Sequence, residues 1–271
     1  MAIRLVAIDL DDTLLNPDRS ISPVNRLTII RTINAGVMVV LASGRTIQSM
    51  RPYAEELGMI GKKFPIICMN GAEIRDIDSK AIIQQHAFTP EQVKICVNAV
   101  MSAGLPAQVY EDDCIIVTEK NDWTNRDTAL TGLPNRLQNY NGELWAENRS
   151  KILTSGEPEV LKKVMVELKK QLDGIAHLIL SKPYFLELLP LGADKGSALA
   201  WIAEKYGIRQ EETMAIGDSW NDLGMIAWAG IGCAPNDANP EVLAQADYIA
   251  KNNHYEGAVA ELLKHFILDS I

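Results

Sequence analysis

Residues 3–8 (Ile-Arg-Leu-Val-Ala-Ile) form a short, mostly apolar run that stops at three closely spaced carboxylates, Asp9, Asp11 and Asp12. The run is too short for a helix and rich in β-branched side chains, which predicts a strand buried on both faces. The pattern then repeats. Ser22-Pro23 opens a helix, with the serine at the N-cap and the proline in the first helical position, and Gly36 ends it. Residues 37–41 form a second apolar strand. A helix over 46–57, stopped by Gly58, precedes a third strand over 65–69 that ends at Asn70-Gly71. Strand and helix alternating in this way predict a βαβαβ unit and a parallel sheet with right-handed crossovers.

The same rhythm returns near the C-terminus, where helices are predicted over 195–206, 222–229, 240–246 and 255–267. Strands over 213–216, 230–234 and 248–250 alternate with them. The last helix carries Val259, Leu262, Leu263 and Phe266 at helical spacing. Between the two halves the pattern changes. Residues 107–118 read as paired strands and 159–172 as an amphipathic helix, and this stretch holds Trp123, Tyr140, Trp145, Tyr184 and Phe185. The expected organisation is an α/β, doubly wound parallel-sheet domain of residues 1–82 and 189–271. An α+β domain of residues 83–188 is inserted into it.

Composition narrows the function. The 271 residues are 47% hydrophobic and 23% charged, ordinary for a globular chain with a sizeable core. A formal net charge of -9 repels phosphate backbones, so nucleic acid is not the expected partner, and an anionic substrate would need positive charge concentrated at its site. Cys68, Cys96, Cys114 and Cys233 are widely spaced without a C-x-x-C pair, which argues against zinc or a disulfide framework and for reduced thiols in the cytoplasm. No apolar run approaches ~18 residues and no signal-peptide pattern opens the chain, so neither membrane insertion nor secretion is expected.

In an open parallel sheet, ligands bind beyond the carboxyl ends of the strands, near the point where strand order reverses. The strand-terminal residues are therefore the candidates: Asp9, Asp11 and Thr13; Ser43, Gly44 and Arg45; Asn70; and Gly217, Asp218, Asn221 and Asp222. Asp9 and Asp11 alone could be turn and capping residues. With Asp218 ending a second strand, the clustered like charges call for a divalent cation, and an all-oxygen donor set favours Mg²⁺. Lys195 lies in the first turn of a helix, where the macrodipole disfavours a cation unless an anion is near. Ser43 could be the N-cap of the following helix, a role compatible with anion binding, and Gly44 lets the backbone approach a ligand. Arg45 either clamps an anion or pairs with an acidic neighbour. Asn70-Gly71 is either a plain turn or part of the site. His86, His177, His254 and His265 show no ligand spacing. Two carboxylates, a cation, a lysine and a hydroxyl around one position suggest phosphoryl transfer. One carboxylate would attack in line and the other would carry the proton.

These residues, in this order, resemble the haloacid dehalogenase (HAD) superfamily of phosphatases. Residues 9–14 (Asp-Leu-Asp-Asp-Thr-Leu) are similar to its motif I, Ser43-Gly44-Arg45 to motif II, Lys195-Gly196 to motif III and residues 217–222 to motif IV. Asn70-Gly71-Ala72 and the long insertion are similar to the Cof-type subfamily with its C2 cap. The resemblance implies a Rossmann-like core and a cap that acts as a lid. It implies that Asp9 is the nucleophile and Asp11 the general acid/base. Mg²⁺ would be held by the Asp9 and Asp218 side chains and the Asp11 backbone carbonyl. Ser43, Gly44, Lys195 and Asn221 would surround the phosphoryl group, Asn70 would face the substrate, Arg45 the substrate or the cap, Asp222 would orient Lys195 or the metal shell, and Thr13 would support the site. The chain departs from motif I at Asp12, where glycine is commonest, and Asp12 is expected to point away from the site.

The implied function is Mg²⁺-dependent hydrolysis of small phosphomonoesters, such as sugar phosphates, through an aspartyl-phosphate. The protein is expected to act as a monomer or small homo-oligomer. A phosphomutase and a dedicated disaccharide-phosphate phosphatase share this core. A phospho-receiver module would place its phosphorylated aspartate at a later strand, and a non-catalytic phosphometabolite-binding protein would not need the full carboxylate–lysine set.

Overall fold

The computed structural model describes residues 2–140, 145 and 147–270. In chain order the elements begin with β1 (Leu5–Asp9), α1 (Pro23–Asn34), β2 (Met38–Ala42), α2 (Ile47–Glu56), β3 (Pro65–Cys68), β4 (Glu73–Asp76) and β5 (Ile82–Gln85). Next come α3 (Pro90–Ser102), β6 (Ala107–Tyr110), β7 (Ile115–Val117), α4 (Asp122–Thr131), β8 (Asn135–Leu137), β9 (Ile152–Ser155), α5 (Pro158–Gln171), β10 (Ala176–Lys182) and β11 (Phe185–Pro190). The chain finishes with α6 (Lys195–Lys205), β12 (Thr213–Ile216), α7 (Leu223–Trp228), β13 (Ile231–Ala234), α8 (Pro240–Gln245), β14 (Tyr248–Ile249) and α9 (Ala258–Phe266).

Two sheets result. The first runs β14-β13-β12-β1-β2-β3-β4-β5. It is parallel from β14 through β3, and β4 turns back antiparallel on β3. From β1 the chain winds outward through β2 and β3, then returns on the other flank of β1 at β12 and winds outward again. The strand order therefore reverses between β1 and β12, where Ile8 is in register with Ile216. This is the crevice at which a doubly wound sheet binds ligands.

Burial explains why these segments are strands. All five residues of β1 are buried. Leu5 and Ala7 share a cluster with Val40 and Ala42 of β2, Leu199 and Ile202 of α6, and Met225 of α7. Because side chains alternate across a strand, Val6, Ile8, Val39 and Leu41 face the opposite side, where α1 lies against β2 and α9. Asn25 of α1 ties that layer together by accepting the Ala260 N–H of α9 at 2.9 Å.

Chain contacts divide the protein into two units, Met1–Gln84 with Asp194–Ile271, and Gln85–Ala193. The seams lie at 84/85 and 193/194, where the sequence placed them at 82/83 and 188/189, because β5 runs on to Gln85 and β11 to Pro190. In the second unit the sheet order is β10-β11-β9-β6-β7-β8, antiparallel except for β7 with β8. One face packs on Val93, Val97 and Val100 of α3 and on Leu161 and Leu168 of α5, with Trp145 fully buried among them.

Several features differ from the sequence expectation. The β4–β5 extension of the core sheet was not foreseen, nor were α3 and α4, and the last helix begins at Ala258 rather than 255. In β4 the charged Glu73 and Arg75 are themselves buried as an ion pair at 2.6 Å, on either side of the buried Ile74.

The turn after β3 is the tightest constraint on the chain. Met69, Asn70 and Gly71 all have positive φ (51°, 54° and 92°). A Cβ on Gly71 would collide with the carbonyl of Asp194. By contrast, a Cβ on Gly58, at φ 70°, would meet nothing within 4 Å. Gly58→Ala should therefore cost roughly 1–2 kcal/mol, the price of the left-handed backbone alone. Gly71→Ala should cost clearly more in urea unfolding, and equal losses would contradict the close approach.

Candidate active site

At the carboxyl end of β1, Asp9 lies 4% exposed with one oxygen, Oδ1, 2.5 Å from the ammonium of Lys195. Lys195 is the first residue of α6 and fully buried, and its Nζ also donates to Asp222 Oδ1 at 2.6 Å. Asp194 caps that helix by accepting the N–H groups of Gly196 and Ser197, which places an anion at the end where the macrodipole wants one. Burial alone would discharge the lysine. Asp222 and Asp9 outweigh it and hold the ammonium above its ordinary range.

The loop after β12 closes the other side. Asp222 Oδ2 accepts the N–H groups of Asp218 and Ser219, both at 3.0 Å, so one carboxylate holds both the lysine and the turn. Gly217 is required there, because a Cβ would lie 2.5 Å from the Asp222 side chain. Thr13, fully buried, donates its hydroxyl to Asp218 Oδ1 at 2.7 Å and so links the loop after β1 to the loop after β12.

The loops after β2 and β3 interlock beside this cluster. Ser43 donates its N–H to Ile67 O, and its carbonyl accepts the N–H of Asn70. Ser43 is not the N-cap of α2, as its position allowed. The helix begins three residues later than that reading requires, and Thr46 accepts the Ser49 N–H in its place. Asn70 reaches across to accept the Asn221 side-chain amide at 3.0 Å, so the Asn70-Gly71 turn is joined to the loop that carries Asp218. The amide of Asn70 also packs where a Cβ of Gly44 would lie.

Asp11 is placed differently from Asp9. Its side chain is 26% exposed and receives two hydrogen bonds from the Arg45 guanidinium, Nε at 2.9 Å and Nη2 at 2.5 Å. Arg45 is 5% exposed and lies over the Tyr53 ring. Of the two roles open to Arg45, the structure displays the acidic pairing. Asp12 is exposed and takes φ 65°, the conformation that makes glycine usual at this position and that aspartate tolerates.

The carboxylates of Asp9, Asp218 and Asp222 lie within 4.8 Å of one another, all buried. Burial, with Asp222 and Asp11 nearby, pushes Asp9 up to about 7 in spite of Lys195. Three buried carboxylates against one ammonium leave negative charge in excess, and the donors are all hard oxygens. The residues therefore fit a divalent cation such as Mg²⁺. The set that the resemblance implies takes the Asp9 and Asp218 side chains with the backbone carbonyl of Asp11; Asp222 lies beside those two side chains, and both of its oxygens already serve Lys195 and the turn amides. The feature that spacing did not reveal is the loop after β13, where the Asn239 N–H donates to the Asp218 carbonyl at 2.9 Å.

With this arrangement in view, the relatives are informative. Residues 6–263 match the family of haloacid dehalogenase-like hydrolases. The chain belongs to that family, in its Cof-type branch. It is 30% identical over 284 residues to the 5-amino-6-(5-phospho-D-ribitylamino)uracil phosphatase YcsE of Bacillus subtilis, covering 98% of this chain and 96% of the relative. It is 26% identical over 265 residues to an HMP-PP phosphatase of an Enterobacter species, covering 97% and 96%. A haloacid dehalogenase-like hydrolase from Bacteroides thetaiotaomicron superposes with a TM-score of 0.87 at 34% identity, covering 97% of this chain and 99% of that one. The protein is thus a HAD-family phosphatase. Among the described residues no helix is long and apolar enough to cross a membrane.

The doubly bonded Asp222 gives this phosphatase a sharp test. Asp222→Ala leaves Lys195 buried with one carboxylate and frees two turn amides, and breaking a buried pair of this kind costs about 3–5 kcal/mol. Chemical denaturation should show that loss, and activity should fall with it. A variant as stable as the parent would mean that Lys195 does not depend on Asp222.

Proposed function

We propose that the protein is a Mg²⁺-dependent phosphatase of small phosphomonoesters, sugar phosphates or related metabolites, that works through an aspartyl-phosphate on Asp9. The observation that carries this reading is the buried Asp9–Lys195–Asp222 contact beside Asp218 at the reversal of strand order. The names of the two relatives, each a phosphatase of a small phosphorylated metabolite, support the substrate class.

An oxygen of Asp9 attacks phosphorus in line, the bond from phosphorus to the ester oxygen breaks, and Asp11 gives that oxygen a proton. Asp11 then takes a proton from water as the water oxygen attacks the same phosphorus. The bond to Asp9 breaks, and phosphate and a free carboxylate result. Lys195, charged across the whole working range, neutralises phosphoryl oxygens and keeps the Asp9 carboxylate aimed. Ser43, the backbone at Gly44 and Asn221 complete the cradle, with Asn70 holding Asn221 in place. Asp9, Asp218 and the Asp11 carbonyl would hold Mg²⁺, which when bound supplies further positive charge to the phosphoryl oxygens. Arg45 keeps Asp11 in place between turnovers, and Thr13 and Asp222 brace the loops.

The test is phosphate release from a panel that includes hexose phosphates, 5-amino-6-(5-phospho-D-ribitylamino)uracil and HMP-PP, with Mg²⁺ and with EDTA. Release should require the metal, fall by ~10³-fold or more in Asp9→Asn, and give inorganic phosphate rather than a second sugar phosphate. In Asp11→Asn, turnover should drop by about 10²–10⁴-fold. Undiminished release in Asp9→Asn would remove the nucleophile from this mechanism.

A further inference from the structure

Asn239 occupies the N-cap of α8, where an asparagine side chain ordinarily accepts an N–H of its own helix. Here it makes no such bond. Its amide instead turns to the neighbouring loop and donates to Ser219 Oγ at 3.1 Å, while its backbone N–H donates to the Asp218 carbonyl at 2.9 Å. The Asp218-Ser219 peptide is therefore gripped on two flanks, by Asp222 through its N–H groups and by Asn239 through a carbonyl and a hydroxyl.

The loop that delivers Asn239 is itself fastened at the far end. Asn236 donates its N–H to Asn252 O at 3.2 Å and its side-chain amide to Lys251 O at 2.5 Å. Asp237 accepts the N–H of His254 at 3.1 Å and lies 2.6 Å from its ring Nδ1. Residues 236–239 thus form a short bracket between the loop after β14 and the loop that carries Asp218. The Asn239–Ser219 hydrogen bond is the contact of the bracket with the Asp218 loop that a side-chain substitution at Asn239 removes. Asparagine suits the place: it donates without adding a fourth carboxylate beside Asp9, Asp218 and Asp222.

We propose that Asn239 is a positioning residue for the metal centre, acting through the Asp218-Ser219 turn to fix the direction of the Asp218 carboxylate. This rests on the reading of Asp218 as a metal ligand. Outer partners that aim a ligand typically contribute 10–100-fold to metal affinity. One hydrogen bond to the residue beside the ligand belongs at the lower end of that range.

The experiment is Mn²⁺ binding to the full chain, followed by electron paramagnetic resonance of the free ion, with Mg²⁺ dependence of activity alongside. Asn239→Ala should weaken Mn²⁺ about tenfold, and Ser219→Ala, which removes the same bond from its other end, by a similar factor. The double variant should be no weaker than either single one, because only one bond is lost. At saturating Mg²⁺ the substrate KM should stay near the parental value. If Asn239→Ala lowers the melting temperature of the metal-free protein, the Ser219→Ala titration decides.

Parental Mn²⁺ affinity in Asn239→Ala, with binding abolished in Asp218→Asn, would overturn the proposal and leave the metal site standing. Additive losses in the double variant would overturn it as well, since the two side chains would then act separately. Undiminished Mn²⁺ binding in Asp218→Asn is a different failure, that of the metal-site reading itself.

Discussion

A fully buried ammonium organises this site. Taking an ammonium out of water costs several kcal/mol even after the protein relaxes around it, and only close, well-aimed anions repay that cost. Lys195 finds two, Asp9 at 2.5 Å and Asp222 at 2.6 Å. It does so from the first turn of a helix, where the macrodipole works against it and Asp194 is needed as counter-charge. Much of the nearby backbone answers to this requirement. The left-handed turn at Met69, Asn70 and Gly71 lets the loop after β3 come against the Asp194 carbonyl, and Gly217 makes room for the Asp222 carboxylate. Substitutions at these glycines should therefore reach the lysine, since a Cβ on Gly71 would lie 2.9 Å from the Lys195 backbone nitrogen and one on Gly217 would strike Asp222.

The parallel core was legible because its strands are buried on both faces and end abruptly at polar residues. Asp9, Ser43, Asn70 and Asp218 all stand at or just past such ends, so topology alone brings them to one edge of the sheet. The β4 strand was not legible, since its Glu73–Arg75 pair buries charge where a reader expects exposure. Nor was α4, whose ten residues (Asp-Trp-Thr-Asn-Arg-Asp-Thr-Ala-Leu-Thr) carry no continuous apolar stripe. That helix is set by its ends, with Asn121 capping the start and Gly132 at φ 74° closing it.

Within the site, residue type was easier to read than partnership. Spacing nominated Arg45 and left its partner open, and the fold supplies Asp11. Ser43 looked like a helix cap because it is a hydroxyl before a helical pattern, yet Thr46 does that work and Ser43 belongs to the interlocked loops. Asn239 lies beyond a further strand from the residues it serves. No local pattern ties it to Asp218, and its helix-capping sequence Asn-Pro points to an ordinary role. In the fold that side chain has turned away from its own helix to Ser219.

In the mechanism we propose, the two carboxylates of the Asp-x-Asp pair show how one short segment can support two kinds of chemistry. Asp9 is the last residue of a strand buried on both faces, so its side chain is drawn into the lysine cluster. Asp11 lies two residues further on, past the strand, where its side chain reaches the rim and a guanidinium rather than an ammonium. An attacking carboxylate gains from burial that removes competing water and from a fixed cation that aims it. A proton carrier needs the opposite, access to solvent and a partner it can leave. Environments that differ this much are what allow identical side chains to take different roles. The difference here comes from where β1 ends. Extending the strand by two residues would bury Asp11 as well, a third carboxylate for a lysine that already holds Asp9 and Asp222.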